Sequence, residues 1–212
     1  MASILKVDTI QGATSATAVD VSGVTNLKMP SGFPVQVING TNSTGVYHTS
    51  NATVKIMDVS ITSKLQNSSF IVHSFCEIVT PGSVTGNSDT DVALALGYKT
   101  GSASSSSSNY TGIGDYAPTR HNISFSNGNR AFYSIDALAG GGNSYSYIYF
   151  AFNEPSTCQS FSPNAAAGTI FNVALFGASD VNQTNIMFGT RRNDAGGDSG
   201  TITYINITEV AP

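Results

Sequence analysis

Ser69-Phe-Ile-Val-His-Ser-Phe-Cys-Glu-Ile-Val79 places Phe70, Val72, Cys76 and Ile78 at every second position or its multiple. Residues two apart share a face only in an extended chain, so this stretch reads as a half-buried β-strand, ended by Pro81-Gly82. Downstream, Asp91-Val-Ala-Leu-Ala-Leu-Gly-Tyr98 repeats the pattern with Val92, Leu94, Leu96 and Tyr98 inward. Upstream, Val54–Thr62 is one long strand or two joined by a bulge, because its apolar positions change face near Asp58. Phe33, Val35 and Val37 alternate again, and Asn39-Gly40 reads as a turn. Further strand candidates are Ala131–Leu138, Tyr145–Phe152, Thr169–Phe176, Thr184–Gly189 and Thr201–Val210, with Gly, Asn, Asp and Pro between them. The expectation is an all-β antiparallel sandwich, jelly-roll-like, formed by residues 33–212.

The chain of 212 residues is long enough for one such core. Only 10% of its residues are charged, against roughly 25% in an average domain, so Ser, Thr, Asn and Gly must form the surface. The net charge of −4 with scattered basic residues argues against nucleic acid. No apolar stretch is long enough for membrane insertion as a helix. A weakly charged surface meets partners by shape, hydrogen bonds and aromatic contact, with little electrostatic steering.

Residues 1–32 stand apart from the strand pattern. Met1-Ala-Ser-Ile-Leu-Lys-Val-Asp-Thr-Ile-Gln-Gly12 is amphipathic through Ile4, Leu5, Val7 and Ile10, too short to fold alone and too apolar for a plain tail. Its spacing fits a helix or a strand, and it lacks the features of a secretion signal. Residues 13–32 read as a linker or stalk that, extended, reaches about 65 Å.

Gly197-Asp-Ser-Gly200 matches the nucleophile turn of chymotrypsin-like serine proteases, with Asp91 and His48 upstream in triad order. Against a triad, His48 sits in Gly-Val-Tyr-His-Thr among turn residues, and Thr201 already enters a strand. Asn87-Ser-Asp-Thr-Asp91 alternates oxygen ligands but lacks the Gly and late Glu of a calcium loop. His48, His73 and His121 have no metal-ligand spacing, so a zinc site is unsupported and no metal is expected. Glu77, Glu154 and Glu209 are far apart in sequence. Cys76 reads as a buried small hydrophobe and Cys158 as part of a loop, two reduced thiols with a disulfide between them as the alternative. Asn39, Asn42, Asn51, Asn67 and Asn206 open Asn-x-Ser/Thr triplets that Asn- and Thr-rich composition produces by chance.

Tyr145, Tyr147 and Tyr149 share one face of a strand whose other face carries Ile148, Phe150 and Phe152. Both sides must then be covered, and a subunit interface is the expected cover for the tyrosines. The serine run Ser102–Ser108 is expected to be exposed.

Three stretches together resemble virion appendage proteins of tailed bacteriophages, especially the fibre and adhesin-like proteins of phages infecting marine bacteria. Ile4-Leu-Lys-Val-Asp-Thr-Ile-Gln11 resembles their docking segment. Ala95-Leu-Gly-Tyr-Lys-Thr-Gly-Ser-Ala-Ser104 with Tyr110-Thr-Gly-Ile-Gly and Asp115-Tyr116 resembles their distal strand and loop. Gly200-Thr-Ile-Thr-Tyr-Ile-Asn-Ile-Thr-Glu-Val-Ala211 resembles their closing strand. The likeness implies a homotrimer made in the host cytoplasm and carried on the virion, docked by Ile4, Leu5, Val7 and Ile10 to capsid or tail proteins. It implies neither catalysis nor a cofactor. Contact with a host-surface glycan or protein would fall to the exposed loops, with Tyr110, Asp115, Tyr116, Arg120, His121, Asn143, Arg191 and Arg192 as candidates. Capsid decoration without adhesion, a lectin-like carbohydrate-binding module, and a hydrolase built on Ser199, Asp91 and His48 are the competing readings.

Overall fold

The computed structural model describes residues 30–48, 53–80, 92–114, 123–130, 133–135, 146–149, 158–179, 186–189 and 202–212. By its contacts the chain divides into residues 1–30 and residues 31–212. Ile4, Leu5, Val7 and Ile10 lie outside the described residues, as does the stalk up to residue 29.

In chain order the strands are β1 (Pro34–Asn42), β2 (Val46–His48), β3 (Val54–Thr62), β4 (Ser69–Phe75), β5 (Glu77–Thr80), β6 (Val92–Thr100), β7 (Thr111–Gly112), β8 (Ile123–Phe125), β9 (Gly128–Arg130), β10 (Tyr133–Ile135), β11 (Ser146–Tyr149), β12 (Cys158–Phe161), β13 (Ile170–Ser179), β14 (Ile186–Phe188) and β15 (Thr203–Val210). Every ladder among them is antiparallel. One sheet has the order β1-β15-β4-β12 and a second β10-β6-β13-β3, with β7 beside β6. A third is ordered β11-β5-β14-β2, and β8 pairs with β9 as a hairpin. The expected antiparallel β-sandwich is the architecture found.

The first two sheets close on each other through the faces that the alternation assigned. Phe70, Val72, Phe161, Ile205 and Ile207 from one meet Ile61, Leu94, Leu96, Phe171, Val173 and Leu175 from the other. An aromatic group bridges them: Phe161 stacks on Phe70 at 4.9 Å and on Tyr98 at 4.2 Å, while Phe171 is tilted against Phe70 at 5.2 Å. Each buried Phe contributes about 1.5–3 kcal/mol of transfer free energy, so this group anchors one end of the core.

β3 is a single strand with a bulge. Met57 faces Leu175 and Lys55 faces Phe176, leaving Ile56 as the extra residue. Ile56 and Met57 are therefore both buried, and the apolar face shifts just before Asp58.

Three expectations are corrected. Asn39-Gly40 is not a turn: β1 runs straight through it to Asn42. Gly40 is needed there for space, since a Cβ would run into Val59 Cγ2 in the facing layer. Cys158 belongs to β12, opposite His73, rather than to a loop. Ser69–Val79 is also two strands, because the chain leaves the β1-β15-β4-β12 sheet at Cys76 and enters the β11-β5-β14-β2 sheet.

Cys76 sits at that crossing as a free, fully enclosed thiol. Its Sγ donates to the Glu77 carbonyl at 3.4 Å and accepts from Thr203 Oγ1 at 3.9 Å. Burial, which disfavours the thiolate, pushes its pKa up from 9.0 to about 12. The unfolded chain gives up this proton first as pH rises, so the stability linked to Cys76 is intact below pH 9.0 and is lost from there towards about 12. Two results are expected: the native thiol resists iodoacetamide at neutral pH, and Cys76→Ala loses less stability than the parent between neutral and strongly alkaline pH. Peptide mass mapping and urea titrations measure them, and equal alkaline losses would refute the linkage.

Glu209 ends the buried row of β15 and is completely enclosed. Its Oε1 accepts from the backbone N–H of Lys64 at 2.9 Å, that of Leu65 at 3.0 Å and the Ser68 hydroxyl at 2.6 Å. Its Oε2 accepts from the Lys64 N–H at 3.0 Å and from the Gln36 amide. One carboxylate thus joins β15, β1 and the 63–68 turn.

Candidate functional site

The β6–β13 centre of the second sheet is buried on both faces. Ala93, Ala95, Gly97, Asn172, Ala174 and Phe176 point away from the main core, yet all are enclosed. Tyr110, Ile123 and Phe125 cover them as a second small core. Phe176 meets the edge of Tyr110 at 5.1 Å and of Phe125 at 5.7 Å. Gly97 allows this approach, because a Cβ there would lie 2.5 Å from Phe125 Cε1.

The covering layer carries the serine run. Gly101, at φ +82°, turns the chain out of β6. Ser104 N–H donates to Tyr110 Oη at 2.9 Å, and Asn109 Nδ2 donates to Ser104 Oγ at 2.9 Å. A 3-10 turn over Ser107–Asn109 closes the loop. The Tyr110 hydroxyl donates to Asn172 Oδ1 at 2.7 Å. Asn172 Nδ2 donates in turn to Asp58 Oδ2 at 2.8 Å and Ser60 Oγ at 3.1 Å, and Asp58 pairs with Lys55. Lys99 Nζ lies 5.8 Å above the Tyr110 ring. Burial raises the Tyr110 phenol pKa above its ordinary value, so the hydroxyl remains a donor to Asn172.

The loop is therefore rigid at its root and polar outside, with Ser102, Ser105, Ser106 and Ser108 exposed. Tyr110 itself is corrected from the expected exposed position. It is 0% exposed and supports the loop from beneath, out of reach of a host molecule. Tyr110→Phe is expected to cost about 1–2 kcal/mol, because it leaves the buried Asn172 acceptor and the Ser104 N–H without this hydroxyl. Urea titration gives the stability, and amide exchange at Ser104 and Ser106 should accelerate more than in β15. Uniform acceleration would count against local support.

A second surface lies on the outer face of the β1-β15-β4 sheet. Asn39 stands opposite Asn206, and Thr41 opposite Tyr204, across β1 and β15. Tyr204 stands opposite Phe75 across β15 and β4, and the rings stack at 5.7 Å with 12° between planes. Asn39, Thr41, Tyr204 and Asn206 line a shallow open depression of 220 Å3. The sequence reading singled out none of these as site residues. The alternation of Thr203–Val210 does place Tyr204, Asn206 and Thr208 on one polar face, which is the signal that locates them.

Asp115, Tyr116, Arg120, His121, Asn143, Arg191 and Arg192 lie outside the described residues, as does Tyr145. The backbone of Tyr147 and Tyr149 forms β11, facing Val79 and Glu77 of β5. Of the triad candidates, Asp91 and Ser199 are outside the described residues, and the His48 backbone pairs with Ile186 in β2 and β14. Among the described residues no three His, Cys, Asp or Glu side chains gather in a way that could hold a metal ion. No described helix is long and apolar enough to cross a membrane.

No protein-family model and no curated protein matches the chain. Among solved structures, it is similar at TM-score 0.30 and 12% identity to a chain in the structure of infectious bursal disease virus Gx strain. That alignment covers 93% of this chain and 45% of the viral one. For the Gt strain of the same virus the TM-score is 0.24 with 13% identity, covering 93% of this chain and 46% of the other. The chain thus spans less than half the length of either neighbour, and likeness at these TM-scores carries no argument about function.

Proposed function

We propose that this chain is a structural protein of a virion surface: a homotrimeric appendage of a tailed phage, docked by Ile4, Leu5, Val7 and Ile10, whose β-sandwich contacts the host cell. The observation that carries this reading is the serine loop, an uncharged hydroxyl surface held rigid by the buried Tyr110–Asn172 link. Recognition on a fixed scaffold needs such pre-ordered loops, because ordering a mobile segment costs binding free energy. A chain with only 10% charged residues on a β framework suits an exposed particle protein. The resemblance of residues 4–11, 95–104 and 200–211 to phage appendage proteins supports the same assignment.

Light scattering of the purified full chain tests the oligomer, with about three times the 22.0 kDa chain mass expected. Antibodies against the sandwich should decorate intact particles in electron micrographs. A monomer overturns the trimeric appendage, and unlabelled particles overturn the virion assignment.

A further inference from the structure

We propose that the side chains of Lys55 and Asn172 join in an amide bond that the folded chain forms by itself, with Asp58 as the group that moves the protons. The Asp58 carboxylate bridges the two: its Oδ1 accepts from Lys55 Nζ at 2.5 Å and its Oδ2 from Asn172 Nδ2 at 2.8 Å. The bulge in β3 makes this possible. Residues three apart in a regular strand face opposite sides, yet the extra residue Ile56 brings Lys55 opposite Phe176 while Asp58 stands opposite Ala174. Both of those β13 residues belong to the second core, so amine, carboxylate and carboxamide meet on one face of the sheet.

An ion pair needs only Lys55 and Asp58, both half-buried on the edge strand of that sheet. The completely enclosed carboxamide on the other carboxylate oxygen is what sets this pair apart. Asn172 Oδ1 accepts from the Tyr110 hydroxyl at 2.7 Å, which polarises the carbonyl and holds the negative charge that builds on this oxygen during attack. Enclosure also keeps out water, the competing nucleophile. Lys99 stands opposite Asn172 on β6, but its amine lies over the Tyr110 ring at 5.8 Å. Lys55 instead shares the carboxylate that already holds the amide.

In the reaction, Asp58 takes a proton from the Lys55 ammonium and the neutral amine attacks Asn172 Cγ. The Nζ–Cγ bond forms, and the carbonyl electron pair moves to Oδ1 beneath the Tyr110 hydroxyl. Asp58 passes its proton to Nδ2, the electron pair returns, and the Cγ–Nδ2 bond breaks. One of the two protons then on Nζ leaves through Asp58 to the released ammonia. Ammonium departs, Asp58 is again a carboxylate, and nothing is oxidised or reduced. Two groups held on one carboxylate react as neighbours, which supplies the positioning that amines and amides lack in solution. The product ties the edge strand β3 to β13 by a covalent bond.

The test is the mass of the denatured full chain, expected to lie about 17 Da, one ammonia, below that of its sequence. Trypsin should not cut after Lys55, and digestion should yield a branched species joining residues 29–64 to residues 131–191. Lys55→Arg keeps the ion pair but not the nucleophile, and Asp58→Asn removes the proton carrier, so each should show its full sequence mass. Tyr110→Phe should form the bond at least about tenfold more slowly, read as mass against time in newly synthesised protein. Lys55→Arg should also melt lower by on the order of 10 °C, because the bond closes a long loop of the unfolded chain. A parent of full sequence mass overturns the bond, as does a Lys55→Arg chain that still loses ammonia. Loss of ammonia that maps to a succinimide at Asn39-Gly40 or Asn127-Gly128, or a branch at Lys99, overturns it equally.

Discussion

Glu209→Gln is expected to lose about 3 kcal/mol of folding stability, lowering the melting temperature by on the order of 10 °C for a domain of this size. The carboxylate accepts from two backbone N–H groups, the Ser68 hydroxyl and the Gln36 amide, with no donor of its own in use. An isosteric amide keeps the shape but turns one oxygen into a donor. Whichever way the amide is placed, its NH2 then faces the Lys64 N–H. Two donors pointed at each other in an enclosed site lose a hydrogen bond and strand a polar group, which costs more than the loss of one bond at a surface. Ser68→Ala is the calibrating variant, because it removes one donor of several and should cost about 1 kcal/mol. Urea titrations of the two variants measure the difference. If Glu209→Gln proves as mild as Ser68→Ala, the carboxylate does not organise this corner.

Phe176→Ala should be equally severe, at about 3–5 kcal/mol. The side chain is completely buried between Tyr110 and Phe125, and its removal leaves a cavity that flanking Ala95, Ala174 and Ala178 are too small to fill. Its effect should differ from that of Phe171→Ala in the main core. Losing Phe176 unseats Tyr110 and thereby the serine loop, so amide exchange at Tyr110 and Ser126 should rise beyond the global change. Both N–H groups are held by this layer, Tyr110 by Ser107 O and Ser126 by Tyr110 O, each at 2.9 Å. Denaturant titration and hydrogen exchange read the two effects. A loss below about 1 kcal/mol would mean that the second layer is not a packed core.

The contrast between those two phenylalanines marks what alternation reveals. Phe70, Val72, Leu94, Leu96 and Ile205 were legible because large apolar residues at period two have one destination. The second layer was not, because the sheet face beneath it consists of Ala93, Ala95, Gly97 and Ala174, which read as indifferent. Its cover comes from Tyr110, Ile123 and Phe125, isolated apolar residues in Ser- and Asn-rich sequence, so nothing local marks Tyr110 as buried. The sheet change at Cys76 is hidden in the period, since the buried even-numbered row Phe70, Val72, Ser74, Cys76 and Ile78 runs on through it. For the depression, the polar face of Thr203–Val210 was readable. Its pairing with Asn39 and Thr41 was not, because local spacing is silent about a partner strand so distant in sequence.

That pairing also governs when the domain can be finished. Gln36 and Glu209 touch across 173 residues of chain, and the whole of β1 has only β15 as its ladder partner among the described strands. During synthesis β1 emerges before the other described strands and waits until β15 has left the ribosome, and long-range pairings of this kind close slowly. The Glu209 corner is consequently among the last parts of the described sandwich to assemble, and it works as a completion check for that sandwich. Until residue 209 arrives, the N–H groups of Lys64 and Leu65 lack their carboxylate, and a prematurely terminated product cannot acquire the closed sheet. Such a fragment would expose an unpaired apolar strand, which marks it for aggregation or degradation before it can enter an assembly.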